Sequence, residues 1–433
     1  MKWLAASALL FAACDGTGGT IALTLTTAPS STLLADIHRL RVSTTNPDSV
    51  TEATRSTNGI DLSLELTAQD TPGEVFVQGY DDADVLIATG QSPPFTLGGG
   101  DANLVIYVAE PLSINEAPVR LSTGRADLAA TEIVFGAVIA GGVDGAGSLS
   151  DSIAIYNVYS HSFQVGMGMP SKRRGQAVGA NVNGGVYLFG GAGENGTVTS
   201  TLYEFISTTA PSGSYIDAGE QTGFERTGQQ ALGVGADMFV VTGSPPLNVG
   251  LGALTARTDM PGLLPRGAGS INAPRGLSGT AGAIRADGLT LVRFDQTEFV
   301  ETDLPVIRDH ASVAALPDGG FAIAGGADTS VMRITPDGLL TQLTNALSTP
   351  RSEPSVAATS HYVVVAGGLD AASVPIASAD ILDATTLELV TTVPIAARAH
   401  AQAITMQNGQ VMLVGGDVAT DLIELFTPPI ATN

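Results

Sequence analysis

The chain of 433 residues contains a single cysteine, Cys14. One thiol has no partner for an intrachain disulfide, and beyond this position the chain offers no thiolate ligand for a metal and no cysteine nucleophile. Disulfides, thiolate metal sites and cysteine catalysis are therefore excluded for residues 15–433.

Cationic residues are also scarce. The chain has 19 lysines and arginines against 42 aspartates and glutamates, which gives a net charge of −23. A protein of this sign repels a polyanion at long range, before any groove could bind it. Nucleic acid is therefore not an expected partner.

Helical periodicity is almost absent. Apolar residues rarely recur at three-and-four spacing, whereas 52 glycines and 23 prolines separate short runs rich in valine, threonine, isoleucine and alanine. Such runs, bounded by turn residues, are typical of strands. The composition predicts an all-β protein.

The beginning of the chain has the pattern of a secretory signal peptide. Lys2 precedes a largely apolar stretch, residues 4–13, that is too short to span a bilayer. The Leu-Phe-Ala-Ala-Cys sequence of residues 10–14 resembles the lipobox of bacterial lipoproteins, with Phe11 where that family more often has leucine. An ordinary signal peptide with an incidental cysteine is the alternative.

The lipobox resemblance implies that residues 1–13 are removed and that Cys14 carries the lipid. We therefore expect a protein anchored in the bacterial cell envelope, with the outer membrane, the cell surface and the periplasmic face all left open. Residues 14–20, rich in glycine and threonine, are predicted to be a flexible tether.

Residues 21–110 contain short strand-like runs separated by turn signals. Residues 60–66 alternate strictly between apolar and polar, which predicts one buried and one solvated face. The other predicted strands are residues 21–26, 37–43, 75–80, 85–89 and 103–108. This spacing predicts a small β-sandwich, immunoglobulin-like in broad shape but without the cysteine-tryptophan signature.

Residues 111–433 contain a repeat in which an arginine is followed 16 or 17 residues later by a glycine that ends an apolar run. The arginines are Arg125, Arg174, Arg226, Arg266, Arg308, Arg351 and Arg398. Five of the glycines open pairs: Gly141-Gly142, Gly190-Gly191, Gly325-Gly326, Gly367-Gly368 and Gly415-Gly416. Successive arginines are 40 to 52 residues apart, the length of a four-stranded propeller blade.

The Gly-Gly pairs, the preceding arginines and later segments such as Ile381-Leu382-Asp383 resemble the kelch-repeat β-propeller family. The resemblance implies a seven-bladed propeller over residues 111–433, preceded by the sandwich of residues 21–110. The third unit departs from the pattern with Thr242-Gly243-Ser244, the fourth has only Ala281-Gly282, and the usual outer-strand tryptophan is missing. Because the seventh unit contains only three strand-like segments, a strand near residues 117–121 is predicted to complete it and close the ring.

The recurring arginines have two interpretations. They could form a ring of cations that binds an anion, or each guanidinium could hold carbonyl groups of the turns between blades. Regular recurrence at one structural position favours the structural role. Positions that differ between the units are more informative about binding, and such a position lies two residues after each arginine.

The variable positions are Asp127, Gln176, Gly228, Ala268, His310, Glu353 and His400. The kelch resemblance places this stretch at the mouth of the central channel, where Asp127, Gln176, His310, Glu353 and His400 form a candidate ligand site. Imidazole and carboxylate groups suit a divalent metal, acid-base chemistry or hydrogen bonds to a sugar. Solvated polar residues lining a wet channel are the plain alternative.

The family comparison also bears on catalysis. A copper oxidase of the galactose oxidase type needs a cysteine-linked tyrosine and is excluded, because no cysteine follows Cys14. We expect no cofactor, a monomer, and an envelope lipoprotein whose propeller binds a protein or a glycan rather than catalysing a reaction. The open alternatives are a carbohydrate-active enzyme resembling a sugar isomerase, with His310, Glu353 or His400 as its acid or base, and a structural or adhesive envelope component.

Overall fold

The computed structural model describes residues 21–56, 71–96, 102–180, 185–209, 212–234, 238–250, 253–271, 280–294 and 298–430. The predicted strand at residues 60–66 and the segment containing Cys14 lie outside these residues. The described part is all-β, as the composition predicts, with one short α-helix, α1 (Leu33–Asp36), and one 3-10 turn (Glu194–Gly196). None of its helices is both long and apolar enough to cross a membrane.

The first six strands form two sheets. They are β1 (Ile21–Thr26), β2 (Arg39–Thr44), β3 (Ser49–Thr54), β4 (Val75–Tyr80), β5 (Leu86–Gln91) and β6 (Ala102–Tyr107). An antiparallel sheet has the order β3-β2-β4-β5, and β1 pairs in parallel with β6. Side chains from both sheets, including Leu23, Val42 and Ile106, meet in one apolar core.

Five of these strands lie within two residues of their predicted positions, and those at residues 21–26 and 75–80 match at both ends. The strand β3 was not predicted. Its sequence, Ser-Val-Thr-Glu-Ala-Thr, forms a sheet edge on which residues alternate between partly buried and exposed. Because no residue of this strand is fully buried, its sequence does not show the apolar alternation that indicates a strand with a buried face.

The next strands are β7 (Ser113–Glu116), β8 (Arg125–Ala126), β9 (Ala129–Ile133), β10 (Gly136–Ala140), β11 (Val143–Asp144), β12 (Ile153–Asn157), β13 (Ser162–Val165), β14 (Ala177–Ala180), β15 (Gly185–Phe189), β16 (Thr201–Ile206) and β17 (Ser214–Glu220). They continue with β18 (Ala231–Gly233), β19 (Met238–Val241), β20 (Leu247–Gly250), β21 (Ala253–Ala256), β22 (Leu263–Ile271), β23 (Thr280–Arg285), β24 (Thr290–Phe294) and β25 (Phe299–Asp303). The last are β26 (Ala311–Ala315), β27 (Phe321–Gly325), β28 (Val331–Ile334), β29 (Leu340–Leu343), β30 (Ser355–Ala358), β31 (Tyr362–Ala366), β32 (Ser378–Asp383), β33 (Leu389–Pro394), β34 (Gln402–Thr405), β35 (Val411–Val414) and β36 (Ile423–Thr427).

In the described residues after β6, these strands build seven four-stranded antiparallel sheets, which we call units 1 to 7. The units are β9-β10-β12-β13, β14 to β17, β18 to β21, β22 to β25, β26 to β29, β30 to β33, and β34-β35-β36-β7. The short strands β8 and β11 pair with each other beside unit 1. Each of units 1 to 6 is thus a meander of strands taken in chain order.

Unit 7 takes its fourth strand from a distant part of the chain. The strand β7 pairs with β36, so that Ser113 lies opposite Thr427 and Glu116 opposite Glu424. The sequence predicted this strand at residues 117–121, four residues too late. The Ala117 and Leu121 amides donate to the Ile423 and Asp421 carbonyls. Pro118, between them, has no amide hydrogen and interrupts the ladder.

The first strands of the units are neighbours in a closed series. Contacts join β9 to β14, β14 to β18, and so on through β22, β26 and β30 to β34, which contacts β9 again. Seven apolar clusters in the described residues lie between consecutive units, including one between units 7 and 1. Every unit therefore buries both of its faces against its two neighbours.

The glycine pairs allow this close packing. All ten glycines of the five pairs have positive φ, a backbone conformation that glycine adopts without the steric cost of a Cβ. At Gly367, where φ is +61°, an added Cβ would lie 2.2 Å from the Arg398 carbonyl oxygen of the next unit. Gly282 differs, because it lies inside β23, where an added Cβ would lie 2.7 Å from the Phe321 ring of the next unit.

The sheets of residues 21–107 pack on units 1 and 7. The Tyr159 carbonyl of unit 1 accepts a hydrogen bond from the Val105 amide (2.9 Å), and the Tyr159 hydroxyl donates to the Pro94 carbonyl (2.8 Å). Thr89 bonds the Pro428 carbonyl at the end of unit 7. His161 is also buried at this junction.

Candidate ligand-binding site

Most of the recurring arginines bind carbonyl groups within their own unit. Arg125 donates to the Gly141 and Ser152 carbonyls at 2.6 and 3.1 Å. Arg351 makes the equivalent bonds to Gly367 and Ser378, at 2.9 and 2.7 Å, and also forms an ion pair with buried Asp380. The remaining members of this set are Arg226, Arg308 and Arg398. These are the contacts that the structural interpretation of the arginines requires.

In unit 2 the prediction of Arg174 is corrected to Arg173. The Arg173 side chain donates to the Gly190 and Thr201 carbonyls, at 2.8 and 3.4 Å, as the arginines of other units do. Arg174 is half-exposed and lies 3.5 Å from the Asp127 carboxylate. The sequence contains two adjacent arginines, and both spacings to Gly190 occur elsewhere in the repeat, so spacing alone does not choose between them.

Arg266 is the exception among the seven. It lies inside β22, next to an irregularity in the register between Leu263 and Ala268, rather than before the first strand of its unit. Its guanidinium makes no hydrogen bond to any residue that the structure describes. Instead, Arg266 lines a central cavity and its charge acts on Glu353.

The cavity has a volume of about 490 Å³ and is surrounded by the first strands of the units. All seven units contribute to its lining, with the residues at one end being those that follow the recurring arginines. This end, which we call the mouth, includes Asp127, Gln176, Arg266, Glu353 and His400. A cavity of this size is in the range that binds small molecules.

Three mouth residues have a left-handed backbone. The φ angles of Asp127, Glu353 and His400 are +49°, +49° and +56°, and glycines occupy the corresponding place in units 2 and 3. For a residue with a Cβ this conformation costs about 1 kcal/mol or more. The backbone is fixed there by bonds between units, such as the Glu353 amide to the His310 carbonyl at 2.7 Å.

Glu353 joins three consecutive units at the mouth. One of its carboxylate oxygens lies 3.1 Å from His310 Nδ1 of unit 5, and the other bonds His400 Nε2 of unit 7. The hydrogen bond from His400, with further contributions from His310 and the Arg266 charge, lowers the pKa of Glu353 to about 2, although partial burial opposes this shift. The carboxylate is therefore ionised at neutral pH and holds the two imidazoles.

The predicted site residues thus separate into three groups. His310, Glu353 and His400 form one cluster, which we call the His-Glu-His cluster. Asp127 interacts with Arg174 instead. Gln176 is 2% exposed and donates its amide to the Ala140 carbonyl at 2.8 Å, so its side chain is fixed against unit 1.

The arrangement favours some of the predicted chemistries over others. Within the described ranges, no group of three or more His, Cys, Asp or Glu side chains is placed to hold a metal ion, so the divalent-metal hypothesis gains no support from the geometry. The mouth does combine carboxylate acceptors, imidazoles and a guanidinium donor around a cavity. That mixture suits a ligand with several hydroxyl groups.

Sequence reasoning assigned Arg266 to the structural repeat and missed its position at the mouth. A signal was present, because the fourth unit departs most from the repeat and has Ala281-Gly282 where five units have Gly-Gly. A unit that loses the carbonyl-bearing turn also loses the partner of its arginine.

No family model matches this chain, and a comparison with curated proteins finds none that is similar to it.

Proposed function

We propose that residues 113–427 form a seven-bladed kelch-type β-propeller, preceded by an immunoglobulin-like sandwich. Support comes from the closed series of first-strand contacts and from the apolar clusters between consecutive units. The use of β7 as the fourth strand of unit 7 is the closure expected of a ring that has no free sheet edge between its first and last blades.

The propeller is proposed to bind a glycan at the mouth of its central cavity. The observation that carries this proposal is the His-Glu-His cluster at the edge of a cavity of about 490 Å³. The remaining lone pairs of the ionised carboxylate can accept sugar hydroxyl hydrogens, and the imidazole nitrogens that do not face Glu353 add donors or acceptors. The strained backbone at Glu353 and His400 is the kind of feature that concentrates at binding sites.

The test is equilibrium binding of a panel of monosaccharides and disaccharides to the full chain, measured by titration calorimetry. Glu353→Gln is expected to weaken binding at least about tenfold, because the neutral amide is a poorer acceptor and leaves only one oxygen for the two imidazoles. Glu388→Gln, at an exposed position on an outer turn, is the matched control and is expected to bind as the wild type does. A panel without any binder would contradict the glycan proposal and favour a protein partner.

We place the protein in the bacterial cell envelope, attached through a lipid on Cys14, on the strength of the lipobox resemblance alone. Growth with a labelled fatty acid tests this placement. The wild-type chain is expected to incorporate the label and Cys14→Ala to lose it. Label in the Cys14→Ala chain, or its absence from both, would contradict the placement.

Acid-base catalysis on the bound sugar is the second candidate function, because Glu353 orients two imidazoles, as a carboxylate orients a catalytic histidine. Exchange NMR on bound aldoses would reveal it as accelerated interconversion of their anomers. His400→Gln is expected to abolish the acceleration. Binding without any acceleration would contradict acid-base catalysis and support glycan binding as the function.

A further inference from the structure

We infer that the cavity mouth takes an acidic saccharide of the uronic acid type, whose carboxylate is held by Arg266. This inference rests on the proposed glycan-binding function and names the class of sugar. It begins from a difference between Arg266 and the other arginines of the repeat, whose side chains are committed to their own units.

Unit 4 lacks the carbonyl that the repeat arginines of other units bind. In units 1 and 6 the arginine donates to the carbonyl of the glycine that directly follows the second strand. The corresponding Gly282 does not end its strand, because it pairs with Gly269 on one side and Arg293 on the other. The Arg266 guanidinium therefore has no equivalent acceptor at this position.

The carboxylates at the mouth already have partners. The Glu353 carboxylate contacts His310 and His400, and the Asp127 carboxylate has Arg174. Arg266 acts on Glu353 through its charge but makes no hydrogen bond to it. Within the described residues, all five donors of this half-buried guanidinium are thus available to a ligand in the cavity it lines.

The chemistry of the ligand follows from these groups. A planar guanidinium matches a carboxylate with two parallel hydrogen bonds, which an ammonium or a hydroxyl does not do. The neighbouring Glu353 carboxylate keeps lone pairs beyond those that face the two imidazoles, and these can accept hydrogens from sugar hydroxyls. A single small acid is compatible with a net charge of −23, whereas a polyanion is not.

The experiment compares three probes on the full chain by titration calorimetry: glucuronate, its uncharged methyl ester and glucose, with the galacturonate series in parallel. At least one acid is expected to bind roughly tenfold or more tightly than its ester and its parent sugar. Arg266→Gln is expected to reduce the affinity of that acid to the level of the ester. Arg285→Gln, in the same sheet but away from the cavity and already paired with Asp287, is the matched control.

The outcomes separate this inference from the function on which it rests. Neutral sugars binding as tightly as their acids, or Arg266→Gln keeping the preference, would overturn the inference and leave glycan binding intact. No saccharide binding at all would overturn both. If Arg266→Gln does not fold, Arg266→Lys keeps the charge without the fork, and an undiminished preference for the acid in that variant would overturn the bidentate assignment.

Discussion

His161 is expected to make the protein sensitive to acid at the junction between its two regions. The ring is 3% exposed and lies between Tyr107 and Tyr156. Its Nε2 accepts the Tyr107 amide at 3.3 Å, so the neutral ring carries its proton on Nδ1, 2.7 Å from the Tyr156 hydroxyl. A second proton would have to point at an amide donor. Burial accordingly lowers the pKa of His161 to about 3.

The size of the effect follows from proton linkage. In the unfolded chain His161 titrates near its ordinary value of 6.5, and in the folded chain at about 3. Between these values the unfolded state binds one more proton, so the free energy of unfolding falls as the pH falls. The loss attributable to this side chain between about pH 7.5 and about pH 4.5 is about 2.5 kcal/mol.

The assay is urea unfolding of the wild-type chain and of His161→Gln across this pH range, followed by circular dichroism. Because the amide of the variant does not titrate, the difference in unfolding free energy between the two proteins is expected to shrink by about 2.5 kcal/mol on acidification. His38→Gln, at an exposed position, is the control and is expected to follow the wild type. A difference that stays constant with pH would refute the neutral, buried state of His161.

Three further predictions concern the mouth, a buried ion pair and a glycine. The carboxyl of Glu353 is expected to titrate with a pKa of about 2 in carbon-detected NMR. Its contribution to the free energy of unfolding is therefore fully present above the ordinary pKa of 4.5 and disappears as the pH falls towards about 2. A pKa near 4.5 would contradict the His-Glu-His cluster. Arg351→Gln leaves Asp380 buried without its cation and is expected to lower the free energy of unfolding in urea by about 3–5 kcal/mol. The control Arg120→Gln, at an exposed ion pair, is expected to lower it by less than about 1 kcal/mol. Equal losses in the two variants would argue against the structural role of the arginines. Gly367→Ala is expected to lower the free energy of unfolding by about 2–4 kcal/mol in the same assay. Gly196→Ala, whose Cβ would meet nothing within 4 Å, is expected to lower it by only about 1 kcal/mol. Similar losses would show that movement of the chain relieves the contact with Arg398.

Much of the β architecture was predictable because it follows from periodicity. Strands with a continuous apolar run, such as β31 and β35, bury both faces between neighbouring units and are visible in the sequence. Glycines at the ends of these strands identify the turns. The edge strand β3 was not predictable in this way, since pairing on one side only places no demand on its side chains.

The candidate site was predictable in part. The positions two residues after the arginines included His310, Glu353 and His400, whose side chains are in contact in the structure, because the repeat gives the phase of each unit. The same phase was ambiguous by one residue at Arg173-Arg174, and it assigned Arg266 a role that requires a turn absent from its unit. Pairing between distant segments, such as β7 with β36 or His161 with Tyr107, depends on the assembled fold and leaves no local pattern.

Glycan binding at the mouth of the cavity, rather than at the outer loops, can be tested by hydrogen exchange. Exchange is measured by mass spectrometry on the full chain, with and without a saturating saccharide that binds it. We predict slower exchange in the peptides that contain His310, Glu353 and His400, which lie together at one edge of the mouth. Protection confined to outer loops, such as the turn at residues 370–374, would contradict binding at the mouth.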